Sequence, residues 1–282
     1  MKPPPFAYHA PTSVPDALTL LSTLADAKVL AGGQSLVPAM NFRLARPANL
    51  IDINRLRDLS YIREDDGWLA IGALARHVDF ESVEIPDPLG SLLRTIVHRI
   101  GHLPIRVRGT FVGSIAHADP AAEWCLLAAT LGAEIVCESL EGKRIVSSDD
   151  FFENVFTTTI RSNELLVEVR LPLLSPAARV GFEEFSRRAG DFAVVMVLTA
   201  LEMDGDVVRE ARIGMGGVGG TAVRSAEAEE MLVGGPLTDE RIVEAAGVAA
   251  DSIEPWEDIH GSTEYRKDLI RALTRRALTQ AQ

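Results

Sequence analysis

The run Val29-Leu30-Ala31-Gly32-Gly33-Gln34-Ser35-Leu36 constrains the fold of this chain more than any other. A short apolar strand stops at two glycines, and a helical pattern through Val37, Met40 and Asn41 follows, with Ser35 as its expected cap. Such a junction gathers unpaired backbone N–H groups at one point with a helix dipole behind them, which suits a phosphate or pyrophosphate. The glycines let a ligand approach the backbone closely. A plain strand-to-helix turn is the alternative. The run lacks the third glycine of the dinucleotide fingerprint and the Gly-Lys-Ser/Thr of a P-loop. A second segment, Thr110-Phe111-Val112-Gly113-Ser114, follows the basic stretch Arg106-Val107-Arg108-Gly109. It offers more glycine-bearing backbone and two hydroxyls. Two such segments in one domain could clamp a diphosphate from both sides.

The pattern around them alternates short strands and helices. Ser13-Val14-Pro15-Asp16 predicts a helix start, with Leu18, Leu21 and Leu24 at helical spacing. Leu50–Ile53 and Trp68–Ile71 predict strands, and Leu92 to Ile100 predict one apolar helix face closed by Gly101. Asp119-Pro120 predicts the start of another helix, with Asp119 as its cap. Ala133–Val136 and Lys143–Val146 predict a hairpin. Two prolines, Pro172 and Pro176, break the pattern, so a domain boundary is placed there, giving domains 1–175 and 176–282. Beyond it, Val194–Met203 and Val207–Met215 predict strands, and Ala226–Leu232, Asp239–Ala250 and Thr263–Gln280 predict helices. Strands followed by helices imply an α+β unit. The stretch Gly214–Gly220 predicts a flexible or closely packed turn.

Composition excludes several functions. The formal net charge of −12 disfavours nucleic acid as a partner. Only two cysteines, Cys125 and Cys137, are present, so no disulfide scaffold and no four-cysteine metal or iron–sulfur site can be built from this chain. No apolar run reaches the length of a membrane span, and Met1-Lys2-Pro3-Pro4-Pro5 opens no signal-peptide pattern. A cytoplasmic location, or one at the inner face of the membrane, is expected.

Other stretches carry residue types that catalysis or metal binding uses. His117, Asp119 and Glu123 cluster near a helix start, but one histidine with carboxylates is poor support for a metal. Ser114, His117 and Asp119 lie too close in sequence for a hydrolase triad, and no Gly-x-Ser-x-Gly elbow occurs. His98 and His102, four apart on an expected helix, lack the glutamate of a zincin motif. Ser186-Arg187-Arg188-Ala189-Gly190-Asp191-Phe192-Ala193 pairs two arginines with an aromatic at a turn and could face a planar anionic ligand, or be a solvated charge cluster. Neither a catalytic side chain nor a metal ligand is expected.

Taken in order, these segments resemble the medium, FAD-binding subunit of molybdenum hydroxylases, the group containing aerobic carbon monoxide dehydrogenase and xanthine dehydrogenase. Ala31-Gly32-Gly33-Gln34-Ser35-Leu36-Val37-Pro38, running into Met40-Asn41-Phe42-Arg43-Leu44-Ala45-Arg46-Pro47, resembles the first flavin-diphosphate loop. Arg106 to Ser114 resembles the second, His117-Ala118-Asp119-Pro120-Ala121-Ala122-Glu123 continues the match, and Arg187 to Ala193 resembles the segment at the isoalloxazine edge. Asp258-Ile259-His260-Gly261-Ser262 with Tyr265-Arg266 resembles the C-terminal domain signature. The resemblance implies a two-part FAD-binding domain of the PCMH, vanillyl-alcohol-oxidase-like, type, then a smaller α+β domain with a sheet and terminal helices.

The resemblance also implies roles. Val29, Leu30, Ala31, Gly32, Gly33, Gln34, Ser35 and Leu36 would hold FAD on one side, and Thr110, Phe111, Val112, Gly113 and Ser114 on the other. Glu123 would reach the ribose or adenosine side, Leu166 would pack on the adenine half, and Asp191 and Phe192 would lie near the flavin ring. The implied partners are a large molybdopterin-binding subunit and a small [2Fe-2S] subunit, in a dimer of heterotrimers, with electrons leaving FAD for a quinone or NAD. Val112 stands where the family has glycine. A β-branched residue resists positive φ and adds bulk. That departure supports an alternative, a non-catalytic assembly or scaffold subunit with lost or weakened FAD binding. A free-standing FAD oxidoreductase is a further alternative.

Overall fold

The computed structural model describes residues Met1–Gln282. The chain opens with β1 (Ala7–His9), α1 (Val14–Thr23), β2 (Ala27–Leu30), α2 (Leu36–Asn41) and β3 (Asn49–Asp52). β3 lies between β1 and β2, parallel to both. α1 is started as the sequence predicts: the Ser13 hydroxyl accepts from the Asp16 N–H at 3.2 Å, and Ala17, Leu18 and Leu21 form its buried face.

The hairpin β4 (Ile62–Asp65) and β5 (Trp68–Gly72) comes next, then the helices α3 (Leu89–Val97), α4 (Leu103–Arg106), α5 (Phe111–His117) and α6 (Glu123–Leu131). The predicted hairpin follows as β6 (Glu134–Ser139) and β7 (Gly142–Ser147). After the short α7 (Ser148–Phe151) and the pair β8 (Phe152–Asn154) and β9 (Thr157–Thr158), β10 (Leu165–Pro172) returns between β5 and β6. The result is an antiparallel five-stranded sheet of order β4-β5-β10-β6-β7. This first part of the chain therefore has two sheets, a small parallel one and a larger antiparallel one, as expected for a two-part domain. In the core of this part, Phe80, Phe111 and Trp124 are fully buried, with ring centroids 4.8–5.4 Å apart.

The rest of the chain is β11 (Ala178–Phe185), β12 (Val195–Asp204), β13 (Val207–Gly216) and the short β14 (Val223–Arg224), an antiparallel sheet in that order, then α8 (Ala226–Leu232), α9 (Asp239–Asp251) and α10 (Thr263–Gln280). β12 is buried on both faces. Met196, Leu198 and Ala200 join the core of the first part, while Val195, Val197, Leu201 and Met203 face the terminal helices. One strand thus belongs to two hydrophobic clusters and sets how the sheets meet.

Several local expectations are corrected. The Ser35 side chain makes no cap bond, because Ser35 itself sits in the helical region (φ −103°, ψ −47°). The helix expected from Asp119 starts at Glu123 instead, with Ala122 as its cap; Asp119 closes a tight turn by accepting from the Ala121 N–H at 2.9 Å. α3 ends at Val97, so His98 caps it while His102 precedes α4, and the two histidines share no helix. Gly214 and Gly216 are strand residues of β13; a side chain at Gly214 would meet the Thr130 hydroxyl and one at Gly216 would meet Met196. The Thr110–Ser114 segment is the cap and first turn of α5 rather than an open loop.

Gly181 lets α10 seat on β11, since a Cβ there would fall on the Ala277 carbonyl, which is backbone and cannot swing aside. Gly181→Ala is therefore expected to cost about 1–3 kcal/mol as an overpacking substitution. Differential scanning calorimetry should show a lowered Tm, and an unchanged Tm would contradict this packing.

Candidate functional site

Three elements converge on the first glycine segment. β2 delivers Val29 and Leu30, both half-buried, and the chain turns at Gly32-Gly33 into α2. Gly33 lies at φ +73°, the left-handed region that favours glycine. The N–H groups of Gly32, Gly33, Gln34, Ser35 and Leu36 donate to no backbone or side-chain acceptor in the chain, although Gln34 Nε2 reaches the Gly32 carbonyl at 3.2 Å. Consecutive unpaired N–H groups at a helix start form an anion cradle.

The second segment lies directly against the first. A Cβ on Gly32 would strike the carbonyl of Arg108 and the Cα of Gly109. Thr110 caps α5, its hydroxyl accepting from the Gly113 N–H at 3.1 Å, and the Phe111 N–H donates to the Ala75 carbonyl at 3.0 Å. The Ser114 N–H is spent on the Thr110 carbonyl, leaving the N–H groups of Thr110 and Val112 without partners. Val112 is 2% exposed, its side chain turned into the core from the first turn of α5, and its φ is not positive. The glycine conformation that a valine resists is not required here. That removes the physical ground for a weakened site.

A polar bridge that sequence reasoning missed ties the segments together. Asn54 Nδ2 donates to the Ala31 carbonyl at 2.8 Å. Arg76 Nη2 donates to Asn54 Oδ1 at 2.6 Å, and Arg76 Nη1 donates to the Arg108 carbonyl. Asn54 follows β3 and Arg76 follows β5, so the bridge spans the two sheets. The only local signal for Asn54 is the turn Asp52-x-Asn54, where the Asn54 N–H donates to Asp52 at 2.9 Å. Beneath the second segment, His77 is buried against Gly109 and accepts from the Trp124 indole N–H at 3.0 Å through Nδ1. Burial, with Arg76 and Arg106 nearby, pushes its pKa down to about 4, so it is neutral near pH 7.

The remaining expected residues fall in other places. Glu123 begins α6 and is buried; burial and then the facing Glu184 carboxyl of β11 push it up to about 8, Asp119 adding to the effect. Burial raises Glu184 to about 7, opposed by Arg99, and its Oε2 has no partner. Leu166 lies on β10 opposite Cys137 and is buried in the core. Asp191 and Phe192 do not line the two segments' junction; they flank a separate cleft of about 550 Å³ together with Asp119, Pro120 and Ala121. His117 stacks on Phe156 at 4.7 Å, and no group of three or more His, Cys, Asp or Glu side chains is placed to hold a metal ion. Cys125 and Cys137 are free and buried, and burial raises both thiols, Cys137 to about 11.

Comparison with known proteins points the same way. Residues 4–174 match the family model described as FAD binding domain in molybdopterin dehydrogenase, and residues 181–281 match CO dehydrogenase flavoprotein C-terminal domain. The chain is 41% identical to the 6-hydroxypseudooxynicotine dehydrogenase complex subunit alpha of Paenarthrobacter nicotinovorans, covering 100% of this chain and 96% of that protein. It is 36% identical to the carbon monoxide dehydrogenase medium chain of Hydrogenophaga pseudoflava, over 100% and 98% of the two chains. Among solved structures, a chain of quinoline 2-oxidoreductase from Pseudomonas putida 86 superposes with a TM-score of 0.93 at 37% identity, covering 100% of this chain and 98% of that one.

The Glu123–Glu184 pair makes a pH dependence legible. Both carboxyls hold protons in the folded chain that they lose near pH 4.5 when unfolded, so between about pH 4.5 and 8 the native state binds more protons and stability falls as pH rises. Glu184→Gln removes one titration and the charge facing Glu123. The loss of Tm between about pH 6 and about pH 8.5 is expected to be smaller in the variant than in the wild type. Equal slopes in parallel thermal melts would show that the pair is not coupled to folding.

Proposed function

Because the chain belongs to the FAD-binding medium-subunit family of the molybdenum hydroxylases, we propose that it carries electrons through FAD between an iron–sulfur partner and an external acceptor. It is an oxidoreductase subunit and its cofactor is FAD. The observation that carries the reading is the junction of Gly32–Leu36 with Thr110–Val112, where seven backbone N–H groups lack partners and Gly32, having no Cβ, lies directly against the backbone of Arg108 and Gly109. That geometry fits a diphosphate.

The backbone of Ala31–Leu36 and of Thr110–Ser114 would hold the diphosphate, with Asn54 and Arg76 fixing the separation of the two segments. Val29, Leu30 and Phe111 would position those segments from beneath. Glu123 would reach the ribose or adenosine side, Leu166 the adenine half, and Asp191 and Phe192 the ring edge. When bound, FAD takes up an electron pair and passes it on; the chain supplies position and electrostatics. No side chain here serves as nucleophile.

The family supports two partners, a large molybdopterin-binding subunit and a small [2Fe-2S] subunit, which we place in a dimer of heterotrimers. Two buried cysteines cannot hold a cluster, so the relay that feeds FAD belongs to another chain. The final acceptor is a quinone or NAD. No helix is long and apolar enough to cross a membrane, and we place the complex in the cytoplasm or at the inner face of its membrane. The boundary between the flavin domain and the second domain is placed at 175/176, in the segment that separates β10 from β11. A scaffold subunit without FAD is not favoured, because Val112 is helical and faces the core.

The purified chain, alone or with its partners, is expected to show the visible absorption of bound flavin. Gly33→Val forces a β-branched residue into φ +73° and, at about 1–2 kcal/mol of left-handed strain, should weaken FAD binding roughly tenfold. Unchanged flavin content in that variant would remove the first segment from the site. Val112→Gly should leave flavin content no higher while lowering stability by roughly 2–4 kcal/mol, through a lost buried side chain and a glycine in a helix. A rise in flavin content in Val112→Gly would revive the scaffold reading.

A further inference from the structure

The bridge between the two glycine segments has an outer support that diphosphate binding by backbone N–H groups does not by itself require. β3 is the middle strand of the small sheet, and its last residue, Asp52, stands in register with Leu30 of β2. Ala31, the residue after Leu30, is thereby brought within reach of Asn54, two places past Asp52. On the other side of β3, Tyr8 of β1 stands in register with Leu50, so Tyr8 and Asp52 share a face of the sheet. The Tyr8 hydroxyl donates to Asp52 Oδ2 at 2.5 Å.

Every polar atom of the Asn54 side chain is committed. Asp52 Oδ1 accepts from the Asn54 N–H at 2.9 Å and from Asn54 Nδ2 at 2.6 Å. Nδ2 also donates to the Ala31 carbonyl at 2.8 Å, and Oδ1 accepts from Arg76 Nη2 at 2.6 Å. A carboxylate and a carbonyl can only accept, and a guanidinium can only donate. The amide therefore has one orientation, with its NH₂ toward Asp52 and Ala31 and its oxygen toward Arg76. Asp52 holds it there through a single oxygen that takes both the backbone and the side chain of Asn54.

Charge supports the same arrangement. Burial alone would raise the Asp52 pKa, but hydrogen bonds from Tyr8 and Asn54 outweigh it and hold the carboxyl below its ordinary value, so Asp52 is ionised near pH 7. Burial lowers the Arg76 pKa, while the carboxylates of Asp79 and Asp52 oppose the shift. A guanidinium left free beside a diphosphate would pair with the phosphate oxygens. Both Nη atoms of Arg76 are instead anchored, one on Asn54 and one on the Arg108 carbonyl, and its backbone N–H donates to Asp79 at 2.7 Å.

We propose that Asp52, braced by Tyr8, is a positioning residue for the cofactor. It fixes the Asn54 amide, which ties the first glycine segment through Ala31 to the second through Arg76. The proposal rests on the reading of those segments as the diphosphate site. Its effect is on affinity for the cofactor, exerted through Asn54 and Arg76.

Fluorescence titration of the full-length, flavin-stripped chain with FAD tests this. Asp52→Ala leaves the amide free to turn, and the Kd for FAD is expected to rise roughly tenfold, the scale of one hydrogen bond to a charged group. Asp52→Asn keeps an oxygen for Asn54 and can offer its NH₂ to the Tyr8 hydroxyl, so the rise there should be about threefold at most. Equal losses in the two variants would overturn the role of that oxygen. Arg76→Gln combined with Asp52→Ala should bind FAD about as well as the weaker single variant, because both act through one amide. Losses that simply add would show that Asp52 acts by another route and would overturn the proposal. Circular dichroism checks the fold. Should Asp52→Ala fail to fold, Tyr8→Phe removes only a hydroxyl from an exposed position, and a Kd raised about twofold to fivefold is expected. An unchanged Kd in that variant would sink the brace. A wild type that takes up no flavin would sink the reading of the site itself, whereas flavin uptake that Asp52→Ala leaves unchanged would sink this proposal alone.

Discussion

The close seating of Gly32 on the backbone of Arg108 and Gly109 is the contact on which the site depends. Without side chains at positions 32 and 109, the segment that leads into α2 can lie directly against the one that leads into α5. Everything near the junction serves to hold that approach. Asn54 and Arg76 reach across from the ends of two different sheets to bind the carbonyls of Ala31 and Arg108. Below, His77 packs under Gly109 and is tied to Trp124, itself wedged against Phe80 and Phe111. The cradle is rigid because it rests on the aromatic core, and a preformed cradle spends no binding free energy on ordering itself.

A second constraint fixes the cleft. β12 buries one face in each hydrophobic cluster, so the sheets cannot separate without exposing both. Polar ties reinforce the seam: the Gly217 N–H donates to the Pro120 carbonyl at 2.9 Å, and Arg212 reaches the Leu131 carbonyl at 2.5 Å. Arg266 then holds the turn after β13 against the chain before β12. The Glu123–Glu184 pair works against this seam once both carboxyls ionise, because like charges in a buried setting repel. The seam is therefore apolar where it must be permanent and acidic next to the expected ligand.

How far the sequence foretold this follows from the range of each interaction. The glycine segments, the Ser13 cap and the terminal helices were legible because strand runs, caps and periodicity are local. Asp119-Pro120 misled because the same dipeptide closes a turn or starts a helix, and here the Asp119 carboxylate found the Ala121 N–H before a helix could form. Val112 misled because its helical φ depends on Thr110 acting as a cap three residues before Gly113. Asn54 and Arg76 left almost no local pattern, since the groups they bind, the Ala31 and Arg108 carbonyls and each other's side chains, lie 22–32 residues away in sequence. The cleft was invisible for the same reason: its walls come from segments that only the packing of β12 brings together.

The acidity of the chain raises a question that the cradle answers. A net charge of −12 should repel a cofactor bearing a diphosphate. The cradle meets it with backbone N–H groups and the starts of two helices instead of lysines or arginines. Those dipoles act within a turn's length and are fixed in direction, so they are felt at the diphosphate and hardly at the outer surface. Arg76 fits the same logic. Its guanidinium is spent on Asn54 and on a carbonyl, so it braces the two segments and leaves the phosphate to the backbone. Such a design frees the surface to be acidic for solubility or for basic partners, while the geometry of a few peptide units sets the affinity for the cofactor.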